Sequence, residues 1–358
     1  MKSIQATNKE QKEKRLYTDV EYIVEQIIDN IDGVVSIYLC GGYGRDEGAW
    51  IIENDEVLPY NDYDFVVITD SAVEREKLNS IRKECADAVG IHWVDIDIYT
   101  IAKINRLKNT QKNVDLAFAS KLVYGEDVIN RAYLSASKLG FEDIEVEYFT
   151  RLWTFWGTAC LLKKTELSKE ESVFFNNQMA KAILACVDCV LIKHNLYDTS
   201  YVERVNRILK LNIFSNYQDD FKWALNQKLE PSMETLDKSV VLKRYKRTMH
   251  MYKEVMEYSF EHRWRGYVNV ALFRCKTYLK PVTIAYFVYS LLRGRYITAK
   301  RNTEIRCIQN ELFQLVTNNQ LDKLKDIETK LDKLGFEISS SSDFADVLND
   351  VAIARNSL

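Results

Sequence analysis

Four aspartates stand in two short segments in which apolar and acidic residues alternate. Asp62 and Asp64 lie in DYDFVVI, and Asp95 and Asp97 lie in HWVDIDIY. Side chains two residues apart on a β-strand point to the same face, about 6.5–7 Å apart, so each segment brings two carboxylates together. Two like charges beside apolar residues repel each other and lose hydration. A cation between them removes that cost, and Mg²⁺ prefers such hard carboxylate oxygens.

The two acidic segments together predict a site for phosphoryl chemistry. If their strands are neighbours in a sheet, three or four carboxylates converge on one place. Such a cluster can hold two metal ions, about 3.5–4 Å apart, which clamp the attacking and leaving oxygens of a phosphoryl transfer.

A glycine-rich turn precedes the acidic segments, in the stretch YLCGGYGRDEGAW. Gly41 and Gly42 let the backbone approach a phosphate closely, and successive N–H groups there can form an anion nest. Arg45 supplies a charged fork that suits phosphate oxygens. Taken singly, a glycine pair is usually only a turn, and an alternating acidic strand is typical of any half-exposed sheet. Their order along the chain predicts a metal-dependent nucleotidyl-transfer site.

The elements that must position these residues follow from the apolar periodicity. Before about residue 140, helical stretches at 17–32 and about 72–88 alternate with strand-like runs, which predicts an α/β domain over residues 1–141. From residue 142 to 358 the 3.6-residue period dominates, which predicts a mostly helical domain. The expected fold class is therefore α/β (α+β): a small mixed-sheet domain followed by a helical one.

Composition agrees with a cytoplasmic protein. The 358 residues are 47% hydrophobic and 28% charged, with a net charge of −3, as in ordinary globular proteins. The N-terminus has no secretory signal pattern, and no apolar run reaches the roughly 18 residues of a membrane span, so no transmembrane segment is expected. Seven cysteines, an odd number, fit reduced thiols better than a disulfide framework. Cys186 and Cys189 lie in a helical stretch, and we expect them to be buried structural thiols.

The order of these motifs resembles the DNA polymerase beta-like nucleotidyltransferase superfamily. The family pattern is a hydrophobic residue before Gly-Gly or Gly-Ser, a spacer, an acidic strand with two carboxylates, and a third acid on a later strand. The matching residues are Cys40, Gly41 and Gly42 for the turn, Asp62 to Phe65 for the acidic strand, and Asp95 or Asp97 for the third acid.

The resemblance implies a Mg²⁺-dependent transfer of a nucleoside monophosphate from an NTP to a hydroxyl, with release of pyrophosphate. It implies two metal ions held by Asp62 and Asp64 with Asp97 as the further metal ligand, while Asp95 or Asp97 assists in activating the acceptor hydroxyl. Gly41, Gly42 and Arg45 would hold the triphosphate.

Two departures from the family pattern concern the turn and its spacer. Gly42 stands where serine is commoner, which removes a hydroxyl contact to phosphate. The spacer before Asp62 is longer than usual and predicts an extra hairpin or loop.

A second resemblance lies in LIKHNLYDTSYVERVNRIL, which is similar to a second-domain segment of oligoadenylate synthase-like and kanamycin nucleotidyltransferase-like proteins. In those proteins a lysine and a later Ser-Tyr pair contact phosphate and base. By position these are Lys193, Ser200 and Tyr201, with Lys181 as an alternative lysine. The competing interpretation is that YDTSY only caps the next helix.

A basic segment, residues 263–301, contains nine arginines or lysines and no acid. Three interpretations are open: a core helix with solvated basic ends, a groove for RNA or another polyanion, and a helix on an anionic membrane surface. The first is the most ordinary of the three.

The sequence therefore predicts a nucleotidyltransferase that uses Mg²⁺ and an NTP and acts on a small-molecule acceptor. Alternatives are a protein, RNA or nucleotide acceptor, or a module that senses a nucleotide without transferring it. A pure binding module would not need several like charges in one place, which favours the enzyme.

Overall fold

The computed structural model describes most of the chain up to residue 260 and shorter stretches beyond it. The described residues are 2–53, 56–71, 73–260, 304–305, 308, 311–312, 315, 323–334 and 336. The basic segment 263–301, with its predicted polyanion or membrane partner, lies outside them.

The chain forms two compact units, and each unit is made of two segments. The first unit is Met1–Ile144 with Val190–Ser232, and the second is Glu145–Cys189 with Met233–Leu358. The predicted division is a different one, into a catalytic domain of residues 1–141 and a helical domain of residues 142–358. It assigns a function to each part and stays a prediction.

A four-stranded mixed sheet lies at the centre of the first unit. Its strands are β1 (Val34–Leu39), β4 (Asp62–Thr69), β5 (Trp93–Thr100) and β6 (Lys121–Gly125), in the order β5-β4-β1-β6. Strand β1 pairs antiparallel with both β4 and β6, whereas β4 and β5 run parallel. The predicted α/β fold with a small mixed sheet is therefore confirmed.

A separate hairpin fills the long spacer after the glycine turn. Strands β2 (Trp50–Glu53) and β3 (Glu56–Pro59) pair antiparallel with each other. This confirms the extra hairpin that the spacer length predicts.

The helices agree with the apolar periodicity and with glycine stop signals. Helix α1 (Lys2–Asn30) ends shortly before Gly33, which has a φ of +67°, and helix α3 (Arg75–Val89) ends just before Gly90, also at +67°. In chain order the α-helices of the described residues are α1 (Lys2–Asn30), α2 (Gly41–Gly44), α3 (Arg75–Val89), α4 (Ile101–Ile104), α5 (Gln111–Ala119), α6 (Phe141–Thr158), α7 (Lys169–Lys193), α8 (Tyr201–Leu211), α9 (Gln218–Leu229), α10 (Lys238–Phe260) and α11 (Leu324–Lys333).

The two faces of the sheet pack against different helices. Tyr63, Phe65 and Val67 of β4 join a buried cluster with residues of α1 and α3. Val66 and Ile68 face the other way and join a cluster with residues of α5. Asp62 and Asp64 belong to this second face by their alternation along the strand, so α3 and α5 lie on opposite sides of the site's main strand.

The described part of the second unit is helical, as predicted. Phe155 of α6 makes edge-on ring contacts with Tyr245 and Tyr252 of α10, at 5.5 and 5.3 Å between ring centroids. Cys186 and Cys189 of α7 are fully buried, and burial raises the pKa of both thiols well above its usual value. The prediction of buried structural thiols is confirmed.

Helix α7 is long and apolar enough to cross a membrane, judged by length and composition alone. Within its most apolar stretch, 89% of the residues are buried inside the protein. The core helix of a folded domain has the same properties, so α7 supports a membrane span only weakly. The absence of a transmembrane segment stays a prediction.

Candidate active site

The parallel pairing of β4 and β5 brings the four predicted acids onto neighbouring strands. Asp64 lies directly beside Asp95, and Val66 lies beside Asp97. All four carboxylates therefore share the sheet face that α5 covers. Within the residues that the structure describes, however, no three His, Cys, Asp or Glu side chains are close enough to share one metal ion.

Three of the acids have identified polar partners. A carboxylate oxygen of Asp62 accepts a hydrogen bond from the side-chain amide of Asn61. Asp95 lies 3.3 Å from the guanidinium of Arg82, which belongs to α3. The ammonium group of Lys112, on α5, lies 2.6 Å from the carboxylate of Asp97. The two acids of β5 therefore pair with cations from different helices. Asp95 pairs with Arg82 of α3, and Asp97 pairs with Lys112 of α5, the helix on the other side of the sheet.

The glycine turn lies directly against Asp64. The backbone N–H of Cys40 donates to the carbonyl of Asp64 at 2.7 Å, which fixes the start of the one-turn helix α2. Gly41 has a φ of +61°, and a Cβ there would lie only 1.9 Å from Oδ2 of Asp64. Both the backbone angle and the space therefore require glycine.

The second glycine of the turn is crowded by backbone. A Cβ on Gly42 would lie 3.0 Å from the carbonyl oxygen of Glu47. A side chain at this position fits only where the carbonyl of Glu47 moves by a few tenths of an ångström.

Nearby carboxylates affect the pKa of the Cys40 thiol. Burial raises the pKa of Cys40 to about 12, and the carboxylate of Asp64 adds to the rise, followed by a smaller contribution from Asp97. Both carboxylates therefore disfavour the thiolate form of Cys40.

Arg45, the predicted phosphate fork, has its side chain inside the first unit. Only 7% of that side chain is exposed, and it forms an ion pair with Asp115 of α5 at 3.1 Å. Its Nε and Nη1 groups are buried and have no hydrogen-bond partner among the described residues. Burial lowers the pKa of Arg45, but Tyr201 and Asp115 outweigh this effect and leave it above its usual value. The guanidinium is therefore a permanent buried charge.

Ser200 and Tyr201, the predicted nucleotide contacts, begin helix α8. The hydroxyl of Ser200 accepts a hydrogen bond from the N–H of Glu203 at 3.1 Å, so Ser200 caps the helix. A contact of Ser200 or Tyr201 with a nucleotide stays a prediction. The guanidinium groups of Arg45 and Arg204 both lie over the ring of Tyr201, at 4.8 and 4.7 Å.

The two candidate lysines lie in different units. Lys193 is partly buried at the last turn of α7 and belongs to the first unit, whereas Lys181 belongs to the second. Their proposed contact with nucleotide stays a prediction.

Asp115 links three partners and was not singled out from the sequence. Its carboxylate accepts a hydrogen bond from Tyr197 at 2.9 Å and lies 3.5 Å from the guanidinium of Arg204, in addition to the ion pair with Arg45. The signal available in the sequence is one acid within the otherwise apolar stretch VDLAFA. One carboxylate therefore faces two guanidinium groups, those of Arg45 and Arg204.

We expect Asp115→Ala to destabilise the protein by about 2–4 kcal/mol, because it leaves two largely buried guanidinium groups without their anion. Tyr197→Phe removes only one hydrogen bond and should cost about 1 kcal/mol. Urea unfolding of the two variants measures the difference. Equal stability of Asp115→Ala and the wild type would show that the cluster contributes nothing to the fold.

The donor set of the site fits Mg²⁺. Mg²⁺ in proteins usually takes one or two carboxylates and completes its shell with water and substrate phosphates. Asp62 and Asp64 provide such a pair on one partly exposed face of β4. The absence of a side chain at Gly41 lets the carboxylate of Asp64 lie against the backbone of the turn.

Comparisons with known proteins give little for this chain. No protein-family model matches it, and no curated protein matches it. The chain is similar to the crystal structure of spectinomycin adenyltransferase AAD(9) from Enterococcus faecialis with ATP and spectinomycin. The TM-score is 0.39 and the identity 10%, over 67% of this chain and 99% of that one. A likeness at this level does not establish a shared activity, so function has to be argued from the site itself.

Proposed function

We propose that this protein is a Mg²⁺-dependent nucleotidyltransferase that moves a nucleoside monophosphate from an NTP to a hydroxyl of a small molecule. The observation that carries the proposal is the contact between Asp64 and the glycine turn. A metal-binding carboxylate and a phosphate-binding backbone are needed at the same place for this reaction, and Gly41 brings the two together.

In this proposal the side chains have separate roles. Asp62 and Asp64 bind the metal-loaded triphosphate, and Mg²⁺ when bound supplies Lewis-acid stabilisation of the charge on the phosphate oxygens. The N–H groups of Gly41 and Gly42 face the phosphates. Arg45 contributes its positive charge from within the unit and organises the turn, in place of the direct fork that the sequence predicts.

Asp97 is the third acid in this proposal, and Asp95 is not. Asp97 lies on the sheet face that α5 covers, as Asp64 does, and the cation paired with Asp97, Lys112, also comes from that side. Asp95 is paired with Arg82 of α3, the helix that packs on the opposite face of the sheet. Lys112 would have to release Asp97 before that carboxylate could accept a proton.

The proposed step forms one bond and breaks one. The acceptor oxygen attacks the α-phosphorus, and the bond from that phosphorus to the oxygen bridging to the β-phosphate breaks. The hydroxyl proton passes to Asp97, and pyrophosphate leaves with the bond's electron pair. Two metal ions and a cytoplasmic location remain predictions of this proposal.

The experiment that tests the proposal is incubation of the purified protein with each α-³²P-labelled NTP, Mg²⁺ and a cell extract. We expect a small labelled product with at least one NTP, and no product with the double variant Asp62→Ala/Asp64→Ala. A labelled protein or RNA would show that the acceptor is a macromolecule and not a small molecule. NTP binding without any labelled product would favour a sensing module.

A further inference from the structure

Glu47 connects the glycine turn to the beginning of helix α8. Its Oε1 accepts hydrogen bonds from the hydroxyl of Ser200 at 2.7 Å and from the N–H of Val202 at 3.1 Å. Its Oε2 accepts one from the N–H of Tyr201 at 2.7 Å. Hydrogen bonds to a charged acceptor are stronger than neutral ones, and a helix N-terminus favours a negative charge.

The same residue also closes the loop that contains the two glycines. The backbone N–H of Glu47 donates to the carbonyl of Gly42 at 2.8 Å. The side chain of Glu47 therefore binds the start of α8, while its backbone binds Gly42. Glu47 thus couples the position of the helix to the position of the turn. Arg45, two residues earlier, ties the same loop to Asp115.

The contacts of Glu47 decide what α8 can offer a nucleotide. The N–H groups of Tyr201 and Val202, at the start of α8, have no partner within the helix and donate to the carboxylate of Glu47. They are not available to a phosphate while Glu47 stays in place. Helix α8 can then affect phosphate binding through the glycine turn that Glu47 holds.

We propose that Glu47 is a positioning residue, which fixes the turn of Gly41 and Gly42 against Asp64 before the triphosphate binds. This inference rests on the proposed nucleotidyl transfer and names a residue that the family pattern does not include. In this proposal Glu47 acts through the backbone of the turn and not by direct contact with metal or substrate. The opposite possibility, a carboxylate that blocks a phosphate site on α8, predicts an effect of opposite sign.

The test measures binding of two probes by titration calorimetry: inorganic tripolyphosphate with Mg²⁺, which is independent of the base, and Mn²⁺ alone. We expect Glu47→Ala to weaken tripolyphosphate binding about tenfold and Glu47→Gln about threefold. Binding of Mn²⁺ to Asp62 and Asp64 should change less than twofold, because the acids belong to β4. A role in general stability would weaken both probes together.

Asp46→Asn is the matched control. Asp46 is the neighbouring acid of the same loop, pairs with Lys121, and has a positive φ that asparagine also adopts. This variant removes the same charge and should bind tripolyphosphate like the wild type. If Glu47→Ala does not fold, Glu47→Gln, which keeps the length and shape of the side chain, carries the test with its expected threefold loss.

The outcomes separate this inference from the proposed function. Unchanged or tighter binding by folded Glu47→Ala overturns the inference while the wild type still binds both probes. If the wild type binds no tripolyphosphate, or Asp62→Ala/Asp64→Ala binds it equally well, the proposed function fails and the inference fails with it.

Discussion

Replacing Asp64 with asparagine is expected to reduce nucleotidyl transfer about a thousandfold and to leave the fold intact. Loss of a metal ligand removes several kcal/mol of transition-state stabilisation, and each 1.36 kcal/mol is a factor of ten in rate. The side chain keeps its shape, so its place against Gly41 is preserved.

Turnover and urea unfolding of the same preparation measure both halves of this prediction. Asp70→Asn is the control, since Asp70 follows the other end of β4 and is exposed. We expect it to retain activity within about twofold, as is usual for surface substitutions away from a site. Full activity in Asp64→Asn would remove the carboxylate from the reaction and with it the proposed site.

Gly41→Ala is expected to abolish activity and to cost about 3 kcal/mol or more of stability. A left-handed backbone angle alone costs an alanine about 1–2 kcal/mol. At this position the new Cβ would also meet Oδ2 of Asp64 at 1.9 Å, so the carboxylate or the turn must move. Displacement of either one separates the metal ligand from the phosphate-binding backbone.

Gly90→Ala isolates the backbone contribution to that loss. Gly90 has a φ of +67°, close to that of Gly41, but no atom lies within 4 Å of a Cβ built on it. We expect Gly90→Ala to lose about 1–2 kcal/mol in thermal or urea unfolding and to keep its activity. If Gly41→Ala matched Gly90→Ala in both measurements, the contact between Asp64 and the turn would have no functional weight.

The sequence predicts the strands and faces of the site well. Alternation at Asp62 and Asp64 is a local property of one strand, and the structure places both acids on the face opposite Tyr63 and Phe65. The adjacency of β4 and β5 also agrees, because a strand, a helix and a second strand commonly form a parallel pair. Local periodicity and simple connection rules suffice for these features.

The contacts made by charged side chains could not be predicted in the same way. Glu47 meets Ser200 across 153 residues of sequence, and Arg45 meets Asp115 across 70. No local pattern encodes such pairs, since either acid alone looks like an ordinary polar residue of a loop or helix. Arg45 was therefore expected to face phosphate, whereas the structure gives its charge an internal partner.

The pairing of Asp97 with Lys112 illustrates a further limit. Asp95 and Asp97 point to the same face of their strand, so the sequence offers no reason to prefer either as the third acid. Only the packing of α3 and α5 on opposite faces gives the two acids different cations. The preference for Asp97 is thus a proposal from tertiary contacts.

The most direct measurement of the central claim follows two labels through the same reaction. Parallel incubations with α-³²P- and γ-³²P-labelled NTP, Mg²⁺ and cell extract are separated into acceptor product and pyrophosphate. Nucleotidyl transfer predicts α-label in the product and γ-label only in pyrophosphate, with both signals absent in Asp62→Ala/Asp64→Ala. Label from the γ-position in the acceptor, or α-label transfer that persists in the double variant, would contradict the proposed mechanism.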